Sequence, residues 1–235
     1  MKTKEKIIIV ASILFVVTEM ILYCLMHFAN TNCTRLLQYA SIVLVFVFSL
    51  IFLCKRGNVV STQIALLFTL IADTFLVLIN PINQQLGMSS FLVVQICYAI
   101  RIYLENTNKK LRLAQIIIHI VLSVVILIIT CIVLKHKVDY LSLVSMIYLI
   151  NLAINMVFAF IQFKKSPLLA IGLLLFIMCD VIVGLNAGIG SYINVSTNSI
   201  FYKIAFSTIN WAWIFYLPAQ VLLALSLINN TNKQH

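Results

Sequence analysis

Two aspartates lie within long apolar stretches of the sequence, where an ionised carboxylate is energetically costly. Asp73 lies in TLIADTFLVLI and Asp180 lies in LLFIMCDVIVG. A charged side chain at the centre of a bilayer costs at least about 2.5–3.5 kcal/mol on insertion scales, so a residue of this kind is functional by default. Two carboxyl groups placed together can act as a general acid and a general base. We therefore predict that Asp73 and Asp180 form a functional carboxylate pair.

The apolar stretches that must position these acids dominate the composition. Of the 235 residues, 63% are hydrophobic and only 9% are charged, and the mean hydropathy is +1.11. A soluble domain carries about 25% charged residues, so we predict an all-α polytopic membrane helix bundle that forms a single integral membrane domain over residues 1–235. A transmembrane helix needs about 20 apolar residues, which predicts about eight spans at roughly 7–28, 36–54, 59–79, 88–104, 111–134, 140–163, 168–187 and 206–228.

The net charge of +10 could suggest a nucleic-acid partner, but the charges lie at the ends of the predicted spans and form no single patch. The sixteen Lys and Arg residues divide twelve to four between alternate loops, with Arg101 counted on the richer side. Loops rich in Lys and Arg stay on the cytoplasmic side, so this bias predicts a multi-pass protein of the cell (inner) membrane with both termini in the cytoplasm.

A weak internal echo relates the surroundings of the two aspartates. Phe68 precedes Asp73 by five residues, and Phe176 precedes Asp180 by four. Predicted spans 3 and 7 also cross the membrane in the same direction. This pattern suggests two parallel four-helix halves as a hypothesis.

Four further polar residues are predicted to lie near the depth of the acids. Helix rise places both aspartates roughly 22–25 Å above the cytoplasmic boundary. Gln95 and Tyr98 share one face of predicted span 4, and Tyr216 and Gln220 share one face of span 8. Lipid cannot satisfy their hydrogen bonds, so we expect all four to face inward and meet the acids. The alternative is that they serve only as helix–helix hydrogen bonds.

The remaining polar residues of the spans favour structural roles. Glu19 is a third buried acid without an obvious partner, and His119 is expected to be a hydrogen-bonded core residue. Tyr148, Asn151 and Asn155 form a stripe on one helix face, which we interpret as packing, with the lining of a shared cavity as the alternative. Trp211 and Trp213 are expected at the membrane interface. The histidines and cysteines show no metal-ligand spacing.

Four stretches resemble the signature sequences of the YhhN-type lysoplasmalogenase family: ALLFTLIADTFLVL (65–78), FLVVQICYAI (91–100), GLLLFIMCDVIV (172–183) and YLPAQVLL (216–223). The resemblance implies an eight-span membrane enzyme that hydrolyses the vinyl ether bond of lysoplasmalogens to a fatty aldehyde and a glycerophospho-base. It implies that Asp73 and Asp180 are catalytic and that Tyr98, Tyr216 and Gln220 position them. Gln95, which we add to this positioning group, stands where many members have histidine.

The chemistry that the resemblance implies suits a carboxylate pair. Hydrolysis of a vinyl ether needs one carboxylic acid to protonate carbon and one carboxylate to activate water, as in glycosidases. It needs no metal and no cofactor, and the expected partners are a lysophospholipid substrate and membrane lipids. The alternatives are a proton-coupled transporter, a non-catalytic membrane sensor and, less favoured, an intramembrane aspartyl protease, whose G-x-G-D motif is replaced here by M-C-D. Neither the oligomeric state nor the identity of the acid follows from the sequence.

Overall fold

The structure is a computed structural model, and it describes residues 3–28, 31–52, 56–135, 138–189, 196–207 and 210–228. Over these residues the chain forms nine α-helices. They are α1 (Thr3–Phe28), α2 (Thr31–Ser49), α3 (Gly57–Asp73), α4 (Gln84–Glu105), α5 (Lys109–Leu134), α6 (Tyr140–Ile161), α7 (Pro167–Gly188), α8 (Ile200–Ala205) and α9 (Trp211–Leu225). Helix α3 continues directly into a π-helical turn at Thr74–Leu78.

Six helices are long and apolar enough to cross a membrane, namely α1, α4, α5, α6, α7 and α3 with its π-helical turn. Two further apolar helices of the described chain are shorter, Cys33–Ser49 within α2 and Trp211–Leu225. The prediction of an all-helical membrane protein is therefore confirmed. The count of eight spans stays a prediction, because the apolar segments Cys33–Ser49 and Trp211–Leu225 are shorter than the length of about 20 residues that a span needs.

The predicted spans agree with the helices to within about four residues, except at both ends of the second span, where α2 covers Thr31–Ser49, and at the start of the eighth. The second span was expected to reach residue 54, but α2 ends at Ser49. The amide of Gln63 on α3 donates to the backbone oxygens of Ser49 (2.9 Å) and Phe52 (3.2 Å), which satisfies carbonyls that a longer helix would have used. The eighth span was expected to begin at residue 206, but Asn210 starts α9 and Phe206 follows the short helix α8.

Asparagine and aspartate side chains define where several helices begin. Asn83, Asn108 and Asn210 accept hydrogen bonds from first-turn backbone N–H groups of α4, α5 and α9, at 3.1, 2.9 and 3.4 Å. Asp139 and Ser142 form a reciprocal capping box at the start of α6. The hydrogen bonds from Ser142 hold the pKa of Asp139 below its usual value. These caps explain why polar Asx residues recur between the apolar stretches.

Five helices share one buried core. Helix α3 packs on α4, α4 on α6, α6 on α7 and α7 on α9, while α9 also contacts α3. The core draws side chains from all five helices, including Ala72, Tyr98, Leu152, Phe176 and Ala219. Helix α5 packs mainly on α6, and α1 packs on α2. The most extensive helix–helix contacts are between α3 and α4 and between α7 and α9. In each of the two halves that the sequence suggests, these are the third and fourth predicted spans.

Arg101, which was counted among the loop charges, lies inside α4 and is fully buried. Its Nε atom donates to Glu105 at 3.1 Å, and its Nη1 atom donates to Thr62 at 2.9 Å and to Ser226 at 2.7 Å. Ser166, just before α7, donates to the same Glu105 carboxylate at 2.7 Å. This buried cluster joins the ends of α3, α4, α7 and α9. Arg101 is therefore a structural residue and contributes nothing to the loop charge bias.

Candidate active site

Asp73 is the last residue of α3 and is buried, with 3% of its surface exposed. The hydroxyl group of Tyr216 on α9 donates a hydrogen bond of 2.6 Å to its Oδ2 atom. The π-helical turn begins at the next residue, and such turns inside helices are frequent at functional sites. Two residues that the sequence predicted for the site are therefore in direct contact, although they are 143 positions apart.

Asp180 lies on α7 and is half-buried. The hydroxyl group of Tyr148 on α6 donates a short hydrogen bond to its Oδ2 atom. Sequence reasoning assigned Tyr148 to a packing stripe and so missed this role. The alternative interpretation of the same stripe, as the lining of a shared cavity, pointed to a role for Tyr148 at the site.

One aromatic cluster connects the two tyrosine–aspartate pairs. The Phe176 ring lies 5.6 Å from the ring of Tyr216 and 6.5 Å from that of Tyr148, centroid to centroid. The Phe91 ring lies 6.4 Å and 5.8 Å from the same two rings. Tyr148 and the buried Cys179 each interact electrostatically with both carboxyl groups. The two aspartates therefore share one aromatic environment, formed by side chains of α4, α6, α7 and α9.

Gln95 and Gln220 form a second level of the site, one helical turn beyond the aromatic cluster. Two contacts relate α4 to the α9 segment, and each joins residues 125 positions apart. They are the ring contact of Phe91 with Tyr216 and the hydrogen bond from Arg101 to Ser226. Helices α4 and α9 therefore run in the same direction at a constant offset. Gln95 and Gln220 are also 125 positions apart, and each lies four residues after one ring of the Phe91–Tyr216 contact. This register places the two glutamines at about the same level.

Several polar atoms at this level have no hydrogen-bond partner among the described residues. They are Nε2 of Gln95, the hydroxyl group of Tyr98 and both side-chain polar atoms of Gln220. All three residues are completely buried, at 0% exposure. Tyr98 follows Gln95 by three residues on the same helix face and interacts electrostatically with Arg101. The structure therefore places Tyr98 beyond the glutamines, on the side away from the carboxyl groups.

Gln95 is held in place from α6. Asn155 Nδ2 donates to the backbone oxygen of Gln95 at 2.8 Å and to its Oε1 atom at 3.1 Å. The Oδ1 atom of Asn155 lies 3.1 Å from Nε2 of His119, and Nδ1 of the same ring lies 2.8 Å from the backbone oxygen of Gln115. His119 is hydrogen-bonded as expected, but it is half-buried and so is not a core residue.

Glu19 and Trp213 are two further residues for which the sequence suggested roles. Glu19 accepts a short hydrogen bond from Ser41 on α2, beside a separate core cluster that includes Phe15 and Val45. Trp213 packs its ring 5.1 Å from that of Tyr216, so it supports the site and does not serve only at the interface. Over the part of the chain that the structure describes, no three His, Cys, Asp or Glu side chains come together as metal ligands.

A family model described as "YhhN family" matches residues 33–227, which is most of the chain. The matched region contains both aspartates, both of their tyrosine partners and the two glutamines Gln95 and Gln220. Searches of curated proteins and of solved structures find no match.

Proposed function

The chain belongs to the YhhN family, and from this premise we propose that it is a membrane-embedded hydrolase. Its proposed reaction is cleavage of the vinyl ether bond of lysoplasmalogen-like lipids, which gives a fatty aldehyde and a glycerophospho-base. The observation that carries the proposal is the arrangement of the acids. Two carboxyl groups, each oriented by a tyrosine hydroxyl, lie against one aromatic cluster inside the bundle.

In the first proposed step, one aspartic acid donates its proton to the vinyl carbon that is remote from the ether oxygen. The carbon next to the oxygen becomes an oxocarbenium ion, and the carboxylate left behind stabilises this positive charge. Two carboxyl groups that share a water-poor site do not readily ionise together, so one acid and one carboxylate are available at the start. The tyrosine hydroxyls orient the carboxyl groups and remain protonated throughout.

In the second step, the other carboxylate takes a proton from water as the water oxygen attacks the oxocarbenium carbon. This forms a hemiacetal and leaves the second aspartate protonated. That aspartic acid then protonates the departing glycerol oxygen, while the first carboxylate removes the hemiacetal hydroxyl proton. The carbon–oxygen bond breaks, aldehyde and alcohol leave, and both aspartates return to their starting protonation states. The chemistry parallels that of glycosidase carboxylate pairs.

The surroundings of Asp180 suit a lipid substrate. Asp180 is half-buried, whereas Asp73 is closed off from the surface. Met178 and Val181 next to Asp180 are 40% and 50% exposed and offer an apolar surface on α7. We propose that the alkenyl chain lies along this surface and that its vinyl ether reaches the acids from the Asp180 side.

We also propose that α2 and α9 cross the membrane together with the six longer helices, which gives eight spans. Helix α9 carries Tyr216 and Gln220 in the interior and runs in the same direction as α4. If α5, α6 and α7 each cross the membrane once, the eighth span has to run in the same direction as α4, and α9 does so. With eight spans, the Lys and Arg bias places both termini on the cytoplasmic side of the cell membrane.

The test is to incubate the purified protein in lipid nanodiscs with a lysoplasmalogen in D₂O buffer and to analyse the aldehyde by mass spectrometry. We expect an aldehyde with one deuterium on the carbon beside the carbonyl, because solvent supplies the proton that reaches that carbon. A lysolipid with a saturated 1-O-alkyl chain is the matched control and should stay intact. Release of no aldehyde above the buffer level would contradict the proposal.

A proton-coupled transporter is the second candidate, and one observation favours it. Helix α3 changes to a π-helical turn directly after Asp73, and Pro218 lies inside α9 between Tyr216 and Gln220. Interrupted helices beside buried acids are typical of transporters. A transporter would move its solute across a proteoliposome membrane without releasing aldehyde, so the same lipid preparation, assayed for uptake and for aldehyde, separates the two functions.

A further inference from the structure

We propose that Gln95, Tyr98 and Gln220, here called the amide layer, bind a hydroxyl group directly beside the carboxyl groups. The hydroxyl belongs either to a water molecule or to the free alcohol of a lysolipid's glycerol. The second source rests on the proposed function, whereas the hydroxyl-binding site itself does not.

The first observation is the lack of partners. Buried polar atoms almost always have a hydrogen-bond partner, and leaving one unpaired costs about 1–3 kcal/mol. Four atoms of the amide layer have no such partner in the described part of the chain, and their residues are completely buried. Both polar atoms of Gln220 are unpaired, so exchanging the oxygen and nitrogen of its amide would not remove the deficit. These atoms require a group that the described residues do not supply.

The second observation is the position of the layer. Gln220 lies four residues after Tyr216 on the same face of α9, and Gln95 lies four residues after Phe91 on α4. The Phe91–Tyr216 ring contact and the hydrogen bond from Arg101 to Ser226 set a register that places these two glutamines level. One helical turn is about 5.4 Å, so a group bound to Gln220 lies close to the carboxyl group that Tyr216 holds.

The third observation is the chemistry of the free atoms. Gln95 offers N–H donors, Gln220 offers both donors and an acceptor, and the Tyr98 hydroxyl can do either. A small group that both donates and accepts at one atom, as a hydroxyl does, complements this set. An ion does not, because the amide layer is uncharged and Arg101, three residues after Tyr98, is already paired with Glu105.

A lysolipid presents such a hydroxyl at the right place. Its free alcohol is on the carbon adjacent to the one that carries the ether oxygen. With the vinyl ether at the aspartates, this alcohol would extend about one helical turn, into the amide layer. An acylated alcohol could not donate a hydrogen bond and would bring a second chain into the buried layer. The amide layer would therefore select lipids with one chain.

The test uses lipids that cannot be hydrolysed. The affinity of the nanodisc-embedded protein is measured for 1-O-hexadecyl lysophosphatidylethanolamine and for its analogue without the free alcohol. Wild-type protein, Gln220→Leu and a control, Gln115→Leu, are compared. Gln115 is also a buried glutamine with an unpaired oxygen, but it lies on α5, and its amide donates to the Ala99 backbone oxygen at 2.9 Å.

If the alcohol is the ligand, wild-type protein and Gln115→Leu should bind the alcohol-bearing lipid about tenfold or more tightly than its analogue, and Gln220→Leu should bind both equally. If water is the ligand, wild-type protein should not discriminate, and an experimental density map of the wild-type protein should contain an ordered water oxygen within hydrogen-bond distance of Gln220. A wild-type protein with neither discrimination nor such density would overturn the proposal. Neither readout requires turnover, so absence of aldehyde release counts only against the proposed hydrolase.

Discussion

The bond between Tyr216 and Asp73 allows a quantitative prediction, because Tyr216→Phe removes one hydroxyl group and little else. The phenylalanine ring keeps the contacts with Phe176 at 5.6 Å and with Trp213 at 5.1 Å. What is lost is a hydrogen bond of 2.6 Å to a buried carboxyl group. The perturbation therefore tests the orientation of the acid and leaves the packing of the core largely unchanged.

The magnitude follows from the charge on the acceptor. A hydrogen bond to a charged group contributes about 1.5–3 kcal/mol, and each 1.36 kcal/mol corresponds to a tenfold change in rate. If the bond is made in full in the transition state, Tyr216→Phe should lower kcat for aldehyde release by about 10- to 150-fold. KM should change little, because the hydroxyl group orients an acid and does not hold the lipid chain.

The assay is the initial rate of aldehyde release at several lysoplasmalogen concentrations in nanodiscs. Tyr103→Phe is the matched control, since Tyr103 lies on α4, where its ring packs against the guanidinium group of Arg112 at 5.0 Å. The control should keep the wild-type kcat. A Tyr216→Phe enzyme whose kcat stays within about twofold of wild type would refute the reasoning, because loss of a charge-assisted hydrogen bond should lower kcat by much more.

Two further predictions concern stability, measured as the free energy of unfolding in mixed micelles. Gly172→Ala should destabilise the protein by about 1–3 kcal/mol, because a Cβ atom at this position would lie 2.9 Å from Leu223. Gly184→Ala is the control and should be neutral or slightly stabilising, because a Cβ atom there would meet nothing within 4 Å. Equal effects of the two substitutions would contradict the tight contact of α7 with α9. Glu105→Gln should cost about 3–5 kcal/mol by leaving the charge of Arg101 buried and unpaired, and an unchanged stability would show that this charge is compensated elsewhere.

The sequence predicted the helices well because apolar length alone determines which segments can cross a bilayer. Six helices meet this criterion in the structure, and their bounds differ from the predicted spans by a few residues. The deviations at α2 and α9 arise from polar side chains that end or start a helix inside apolar sequence, namely Gln63 and Asn210. Hydropathy contains no information about such local hydrogen bonds.

The candidate site was predictable only in part. The cost of burying charge identified Asp73 and Asp180, and helix rise placed them at one depth. The partner of each acid depends on which helices are neighbours, and spacing along the chain does not contain this information. Tyr148 was therefore interpreted as packing, and Arg101 was counted as a loop charge although α3, α4 and α9 enclose it.

The most direct test of the central claim compares three acid-to-amide substitutions by their rates of aldehyde release. Asp73→Asn and Asp180→Asn each remove one member of the proposed pair. Glu19→Gln changes a third buried acid, which is bonded to Ser41 outside the aromatic cluster. We predict that both aspartate variants, folded as judged by gel filtration, release aldehyde at least about a hundredfold more slowly, because loss of one general acid or base costs about 10²–10⁴-fold. Glu19→Gln should keep the wild-type rate. Wild-type turnover by either aspartate variant would contradict the claim that the two acids act as a pair.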